Sequence, residues 1–148
     1  MPRYVVVPFD TLSAALAIKG FTQLPARAGK EVVLTRPVKG SLHVRVWTST
    51  KDGQAEAAAC GADAIRVTLV YAAGGRTSGV ASATKVLRTG TVETVIERVL
   101  ARAREMWQLG ARMEALPKCL CGAPKYLDSG SCVDRRNPEH GRNMAKAS

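Results

Sequence analysis

The sequence lacks the features that mark membrane proteins and common enzymes. No apolar run approaches the roughly 18 residues of a membrane span, and residues 1–9 show a strand-like pattern instead of the hydrophobic region of a signal peptide. We therefore expect a cytoplasmic protein that has no membrane partner. Only 12 residues are acidic, and neither a phosphate-binding loop nor a Gly-x-Ser-x-Gly elbow occurs. We accordingly expect that the protein is not an enzyme.

Positive charge is in clear excess. The 148 residues include 22 Lys and Arg against 12 Asp and Glu, which gives a formal net charge of +10 at pH 7. This excess favours contact with phosphates or another acidic surface, through electrostatic steering and the release of counterions. The length suits one hydrophobic core with a short appendage. We expect an α+β core domain at residues 1–117, a zinc-ribbon-like knuckle at 118–142 and a disordered tail at 143–148.

Alternating apolar and polar residues predict a β-sheet. The expected strands cover residues 4–9, 31–36, 41–50, 64–71 and 80–88. A short helix, capped by Asp10 and closed by Gly20, follows the first of them. Gly74-Gly75 predicts the turn before the last strand.

The strongest helical pattern runs from Val92 to about Leu116. Apolar residues recur there at spacings of three and four, Thr91 can cap the first turn, and Pro117 ends the helix. The expected fold class is α+β: an antiparallel four- to five-stranded sheet, packed by a long C-terminal helix and followed by a short zinc knuckle.

One face of this sheet is expected to be basic. If Leu42 and its even-numbered neighbours face the core, Arg45 and Trp47 lie on the opposite face. Arg66 and Lys85 are expected beside them on neighbouring strands. Cations around an indole suit the phosphates and unstacked bases of nucleic acid. The alternative is that Trp47 lies beneath a helix as ordinary core.

The last helix offers a second basic strip. Arg98 and Arg102 are candidates for contacts with phosphates there. The alternative is a solvated helix face on which Glu97, Glu105 and Glu114 pair with these arginines.

Three of the four cysteines fall within residues 119–132. This clustering suits a metal site better than a disulfide framework in a cytosolic protein. Zinc takes four soft or borderline ligands in a tetrahedron, and a structural role is expected because no general base stands out nearby. The candidate zinc ligands are Cys119, Cys121, Cys132 and His140. The alternative is a set of reduced thiols in a flexible tail, with His140 unrelated to them.

The cysteine region also carries a motif. It contains Cys121-Gly122-Ala123-Pro124, then Gly130-Ser131-Cys132, then Pro138-Glu139-His140. Residues 119–140 thereby resemble the small zinc ribbons at the ends of bacterial type I topoisomerases, in which Gly-x-Pro follows a cysteine pair and a hairpin leads to a second half. Here the first pair is Cys-x-Cys, not Cys-x-x-Cys, and His140 replaces a cysteine. The resemblance implies contact with single-stranded DNA.

The expected function is nucleic-acid binding, with single strands favoured over duplex because no helix-turn-helix is visible, and with DNA favoured over RNA. The strand-strand-strand-helix order from Ser41 to Leu116 resembles the core of single-strand annealing recombination proteins. That likeness implies a DNA-binding groove and assembly into a homo-oligomeric ring, and it transfers no residue roles. The alternative is a small phage- or bacterium-encoded regulator or adaptor whose basic face grips an acidic partner protein.

Overall fold

The computed structural model of the chain describes residues 5–24, 31–49, 65–83 and 86–134. In chain order the elements are α1 (Phe9–Ile18), β1 (Thr22–Gln23), β2 (Glu31–Pro37), β3 (Leu42–Ser49), β4 (Arg66–Ala73), β5 (Arg76–Ser82) and α2 (Val92–Ala115). The strands form one antiparallel sheet with the spatial order β1-β2-β3-β4-β5. The predicted α+β class, with a long C-terminal helix on the sheet and a cysteine cluster after it, is confirmed.

The core lies on the face of the sheet that α2 covers. Leu42, Val44 and Val46 are fully buried there, as the alternation in β3 predicts. The partner strand β4 contributes Val67 and Leu69 to the same core cluster. The helix α2 packs on β3 and β4, and its apolar stripe closes the core. Burial of these side chains is the main stabilising contribution to the fold.

The sheet and α2 approach each other closely at Gly110. A Cβ atom at this position would lie 3.0 Å from Cγ2 of Val38 and 3.1 Å from Cδ1 of Leu69. Real Cβ atoms rarely make contacts this short, so a larger residue would force the helix away from the sheet. Glycine is therefore needed here for packing, although it is a poor helix former.

The ends of α2 agree with the sequence. The Thr91 hydroxyl accepts a hydrogen bond from the backbone N–H of Thr94 at 3.1 Å, so the predicted N-cap is confirmed. The helix ends at Ala115, before Leu116 and Pro117. Among the described helices, none combines the length and the apolar character needed to span a membrane.

The N-terminal segment differs from its prediction. Residues 5–7 belong to no strand of the sheet, although the backbone N–H of Val5 donates to the carbonyl of Arg88 at 2.7 Å. Val7 and Phe9 are buried in the core, and α1 begins at Phe9 after Pro8, without a side-chain cap. The predicted cap at Asp10 is wrong, because the proline fixes a φ of −58° and starts the helix earlier.

The last strand also begins earlier than the sequence pattern suggests. Gly74 and Gly75 have φ values of 57° and 76°, the left-handed conformation that suits a two-residue hairpin loop. The loop lets Arg76 pair directly with Ala73, so β5 covers Arg76–Ser82 instead of residues 80–88. A register shift follows between Leu69 and Val70 of β4.

Candidate metal site and candidate nucleic-acid interface

The first half of the cysteine region is a tight turn. The backbone N–H of Gly122 donates to the carbonyl of Cys119 at 2.8 Å, and the N–H of Cys119 donates to the carbonyl of Ala123 at 2.9 Å. Gly122 has a φ of 91°, which glycine adopts without steric cost. The turn brings Cys119 and Cys121 to the same side of the backbone.

The second half is a short hairpin that returns to this turn. The backbone N–H of Tyr126 donates to the carbonyl of Ser131 at 2.8 Å, and the N–H of Val133 donates to the carbonyl of Pro124 at 3.0 Å. This pairing places Cys132 beside the first two cysteines. We call residues 118–134 the knuckle.

The three thiols converge in the knuckle. All of their Sγ atoms lie within 4.8 Å of one another, and those of Cys121 and Cys132 are 3.5 Å apart. Zn–S bonds of about 2.3 Å in a tetrahedron require sulfur atoms about 3.8 Å apart. The spacing therefore fits a metal ion, and these cysteines can hold one.

Hydrogen bonds and burial make the thiols unequal. Burial acts to raise the pKa of Cys119, but hydrogen bonds from Cys121 and Cys132 outweigh it and lower that pKa below its ordinary value. Burial raises the pKa of Cys132 to about 12, although the backbone N–H of Asp134, 3.4 Å from Sγ, acts in the opposite direction. Binding of a cation favours the thiolate forms and would release protons from the cluster.

The knuckle is attached to the core domain. Ala123 and Val133 are members of the buried core cluster. The Asp134 carboxylate, 1% exposed, accepts a hydrogen bond from Nη2 of Arg76 at 2.7 Å. The Tyr126 hydroxyl donates to the carbonyl of Gly79 at 3.4 Å. The knuckle is thus anchored to β5, by the side chain of Arg76 and by the carbonyl of Gly79.

The described residues supply three side chains that could bind a metal ion. The predicted fourth ligand, His140, lies outside them, as does the predicted tail at 143–148. Asp134 is the nearest carboxylate in sequence, and Arg76 engages it. Within the described ranges the cluster with metal-binding geometry is therefore Cys119, Cys121 and Cys132.

The second candidate site lies on the sheet face opposite α2, which we call the outer face. The register pairs Arg45 with Thr68 and Trp47 with Arg66. These four side chains therefore stand next to one another, on the opposite side from the buried Val44 and its neighbours.

Trp47 is the centre of this group. Its indole Nε1–H donates to Oγ1 of Thr68 at 2.7 Å, which fixes the orientation of the ring. The guanidinium carbons of Arg45 and Arg66 lie 5.9 Å and 5.5 Å from the ring centroid, within the range of cation–π attraction. Trp47 is half-buried on the face away from α2, so it does not lie beneath that helix.

A shallow depression extends from Trp47 across the outer face to β5. Val70, 4% exposed, forms part of it together with Thr77, Gly79 and Ser82. The hydroxyl groups can donate and accept hydrogen bonds. Sequence reasoning missed these β5 residues because it placed the strand too late, although the Gly74-Gly75 turn was a usable signal.

The outer face of β3, β4 and β5 has no acidic side chain among the described residues, whereas pairing with Ser49 places Glu31 of β2 at the edge of the same face. His43 also lies on this face. Burial, and secondarily the charge of Arg45, lowers the pKa of His43 below its ordinary value of 6.5. The positive charge of the described outer face at neutral pH therefore comes from Arg45 and Arg66.

The remaining predicted binding residues are placed differently. Lys85 lies outside the described residues. Nη1 of Arg98 donates to the carbonyls of Leu87 and Thr89 at 2.7 Å and 2.6 Å, so this side chain holds the segment before α2. Arg102 pairs with Glu105 at 2.8 Å, as the solvated-face alternative suggests. The structure thus brings together Arg45, Trp47 and Arg66. The two helix arginines, Arg98 and Arg102, instead bind other groups of the protein.

Comparisons with family models, with curated proteins and with solved structures found no match to this chain. The function must therefore be inferred from the chain's own residues and geometry.

Proposed function

We propose that the protein binds single-stranded nucleic acid on its outer face, with DNA favoured over RNA. The observation that carries this proposal is the placement of two arginines against one oriented indole, on the outer face of β3 and β4. An indole face can stack with any base, and such stacking contributes roughly 1–3 kcal/mol for each base.

The arginines would serve the phosphates of the same strand. Each guanidinium offers several N–H donors and keeps its charge at any physiological pH. A strand that lies across β3, β4 and β5 would meet Arg45 and Arg66 first, and the hydroxyl groups of Thr77 and Ser82 beyond them. Bases reach such a flat surface when they are unstacked, so single strands should bind more tightly than duplex.

The metal held by the knuckle is proposed to be zinc, with a structural role. Three thiolates suit zinc, and His140 is the proposed fourth ligand. The charge of zinc would keep the cysteines deprotonated and close together. Because Ala123 and Val133 pack in the core cluster, an ordered knuckle would also stabilise the core domain. Metal analysis of the purified protein should find one zinc per chain, and its absence would refute this part.

Binding of labelled oligonucleotides tests the main proposal. A strand of about 15 nucleotides should bind with micromolar or better affinity, more tightly than duplex of the same sequence, and lose affinity steeply between about 50 and 200 mM salt. No binding at the lower salt concentration would contradict the proposal. It would favour the alternative of a regulator that grips an acidic partner protein.

Paired variants locate the site. The double variant Arg45→Gln/Arg66→Gln should lose at least about tenfold in affinity for the strand, because two phosphate contacts are removed. Arg102→Gln/Arg112→Gln removes the same charge from exposed or half-exposed positions of α2, and it is the matched control. An equal loss in both variants would show that net charge, and not the outer face, determines binding.

A further inference from the structure

The second tryptophan of the chain lies in a different cationic environment, on the opposite side of the sheet. A groove runs between the end of α1, β2 and α2, and it encloses about 340 Å³. Phe21 and Leu100 provide apolar wall, Trp107 and Gln108 form one rim, and the cations Lys19, Arg36 and Arg104 line the remainder. We call it the α-side groove.

Arg36 and Trp107 are held against each other in this groove. The guanidinium carbon of Arg36 lies 5.2 Å from the centroid of the Trp107 ring. Arg36 reaches this position because it pairs with Val44 in the register and therefore faces α2. A Cβ atom on Gly20 would lie 3.5 Å from Nε of Arg36, so the arginine stem rests against the turn after α1.

We propose that the α-side groove binds a nucleoside phosphate. The half-buried indole of Trp107 and the apolar wall suit a flat heteroaromatic base. The cations Arg36, Arg104 and Lys19 suit a phosphate, which accepts charge-assisted hydrogen bonds. The Gln108 amide can donate to and accept from the edge of a base. The volume lies at the lower end of the range for small-molecule sites, which begins at about 300 Å³.

The two tryptophan sites are independent. The outer face and the α-side groove lie on opposite faces of the sheet and share none of their lining residues. The ligand of the groove can be a free nucleotide or the terminal nucleotide of a strand, since both present a base and a phosphate. Failure of strand binding on the outer face would therefore leave this proposal standing, and the reverse also holds.

Fluorescence of Trp107 tests the proposal directly. The chain contains two tryptophans, so the variant Trp47→Phe reports on Trp107 alone. Titration with AMP should change this fluorescence and give an affinity at least about tenfold higher than those of adenosine and of inorganic phosphate, because only AMP uses both halves of the groove. No change with AMP, or equal affinities for the three probes, would overturn the proposal.

A matched pair of variants in the same background locates the AMP. Arg104→Gln should weaken AMP binding by about tenfold, the loss expected from one charge-assisted contact. Arg112→Gln removes the same charge from the same helix at a position that does not line the groove, although Arg112 lines a neighbouring depression that shares Trp107 and Gln108 with it. It should therefore weaken AMP binding by less than about threefold. Equal effects of the two variants would refute the groove as the site.

Competition distinguishes the two sources of the nucleotide. A strand with a 5′-phosphate that displaces AMP more effectively than the same strand without it would identify a terminal nucleotide as the ligand. Failure of both strands to displace AMP would identify a free nucleotide. Displacement by both strands alike would contradict a site built for a nucleoside phosphate.

Discussion

The knuckle and the outer face use polar side chains in opposite ways. In the knuckle, Cys119 and Asp134 are 5% and 1% exposed. The Cys119 thiol accepts hydrogen bonds from the backbone N–H groups of Leu120 and Cys121, and the Asp134 carboxylate pairs with Arg76. On the outer face, Arg45 and Arg66 flank Trp47 at the surface. Buried polar groups must keep their partners or the fold loses stability, whereas charged groups at a sheet surface can exchange one partner for a ligand at little cost to stability. Substitutions should therefore affect stability in the first region and binding in the second.

Loss of a metal ligand should give the largest effect. Cys121→Ser should abolish stoichiometric metal and lower the free energy of unfolding by on the order of 4 kcal/mol, because binding of a structural metal is coupled to folding. Metal analysis and thermal unfolding measure both effects. Cys60→Ser is the control, since Cys60 is far from the knuckle in the sequence. Unchanged stability of the Cys121 variant would show that the knuckle does not support the core.

Removal of the outer-face indole should weaken binding without unfolding the protein. Trp47→Leu should reduce affinity for a single strand by roughly 5- to 150-fold, the value of one lost stacking contact. Since Trp47 is only half-buried, the melting temperature of the variant should stay close to that of the wild type. A large fall in melting temperature would mean that the indole serves the fold.

The arginine beside the indole should act differently from the indole itself. Arg66→Gln should make the negative slope of log affinity against log salt concentration shallower by about 0.7, as expected for loss of one phosphate contact with a single strand. Trp47→Leu should leave this slope unchanged, because stacking releases no counterions. Salt titrations of the two variants measure the difference, and equal slopes for both would remove the distinction between stacking and phosphate contacts.

The ion pair between the knuckle and β5 should give a smaller loss of stability. Asp134→Asn removes the charge that Arg76 meets at 2.7 Å and should lower the melting temperature, but by less than Cys121→Ser does. Adding Arg76→Gln to this variant should lower the melting temperature little further, because both substitutions break the same interaction. An additive double variant would show that Asp134 and Arg76 act separately.

The smallest effect concerns His43. Its lowered pKa, caused by burial and then by Arg45, means that the unfolded chain binds the proton more readily. Its contribution to stability is therefore complete above pH 6.5 and is lost as the pH falls through the lower folded-state pKa. His43→Gln should reduce the slope of stability against pH in this range, measured by denaturant unfolding, and should leave strand binding at neutral pH unchanged. A steeper slope in the variant would contradict a lowered pKa for His43.

The sequence predicted the features that depend on periodicity. Alternation in β3 and β4 identified the core face correctly, and the three- and four-residue spacing identified α2 together with its cap at Thr91. The clustering of Cys119, Cys121 and Cys132 was visible from spacing because turn and hairpin are both local. These are features for which short-range chemistry and the final packing agree.

Other features depend on contacts between distant segments. The attachment of the knuckle by Asp134 to Arg76 joins residues 58 positions apart, and no local pattern indicates it. The placement of Val5–Val7 outside the sheet results from burial of Val7 and Phe9 in the core, which overrides strand propensity. The α-side groove likewise exists only because β2 and α2 bring Arg36 to Trp107.

Photochemical crosslinking would test most directly where the strand lies. A single strand that carries 5-iodouracil should crosslink at Trp47 when it is bound, since halogenated bases react with the aromatic ring on which they stack. Peptides from β3, identified by mass spectrometry, should carry the adduct, and excess unlabelled strand should suppress it. Crosslinks confined to α2 or to the knuckle would contradict binding on the outer face.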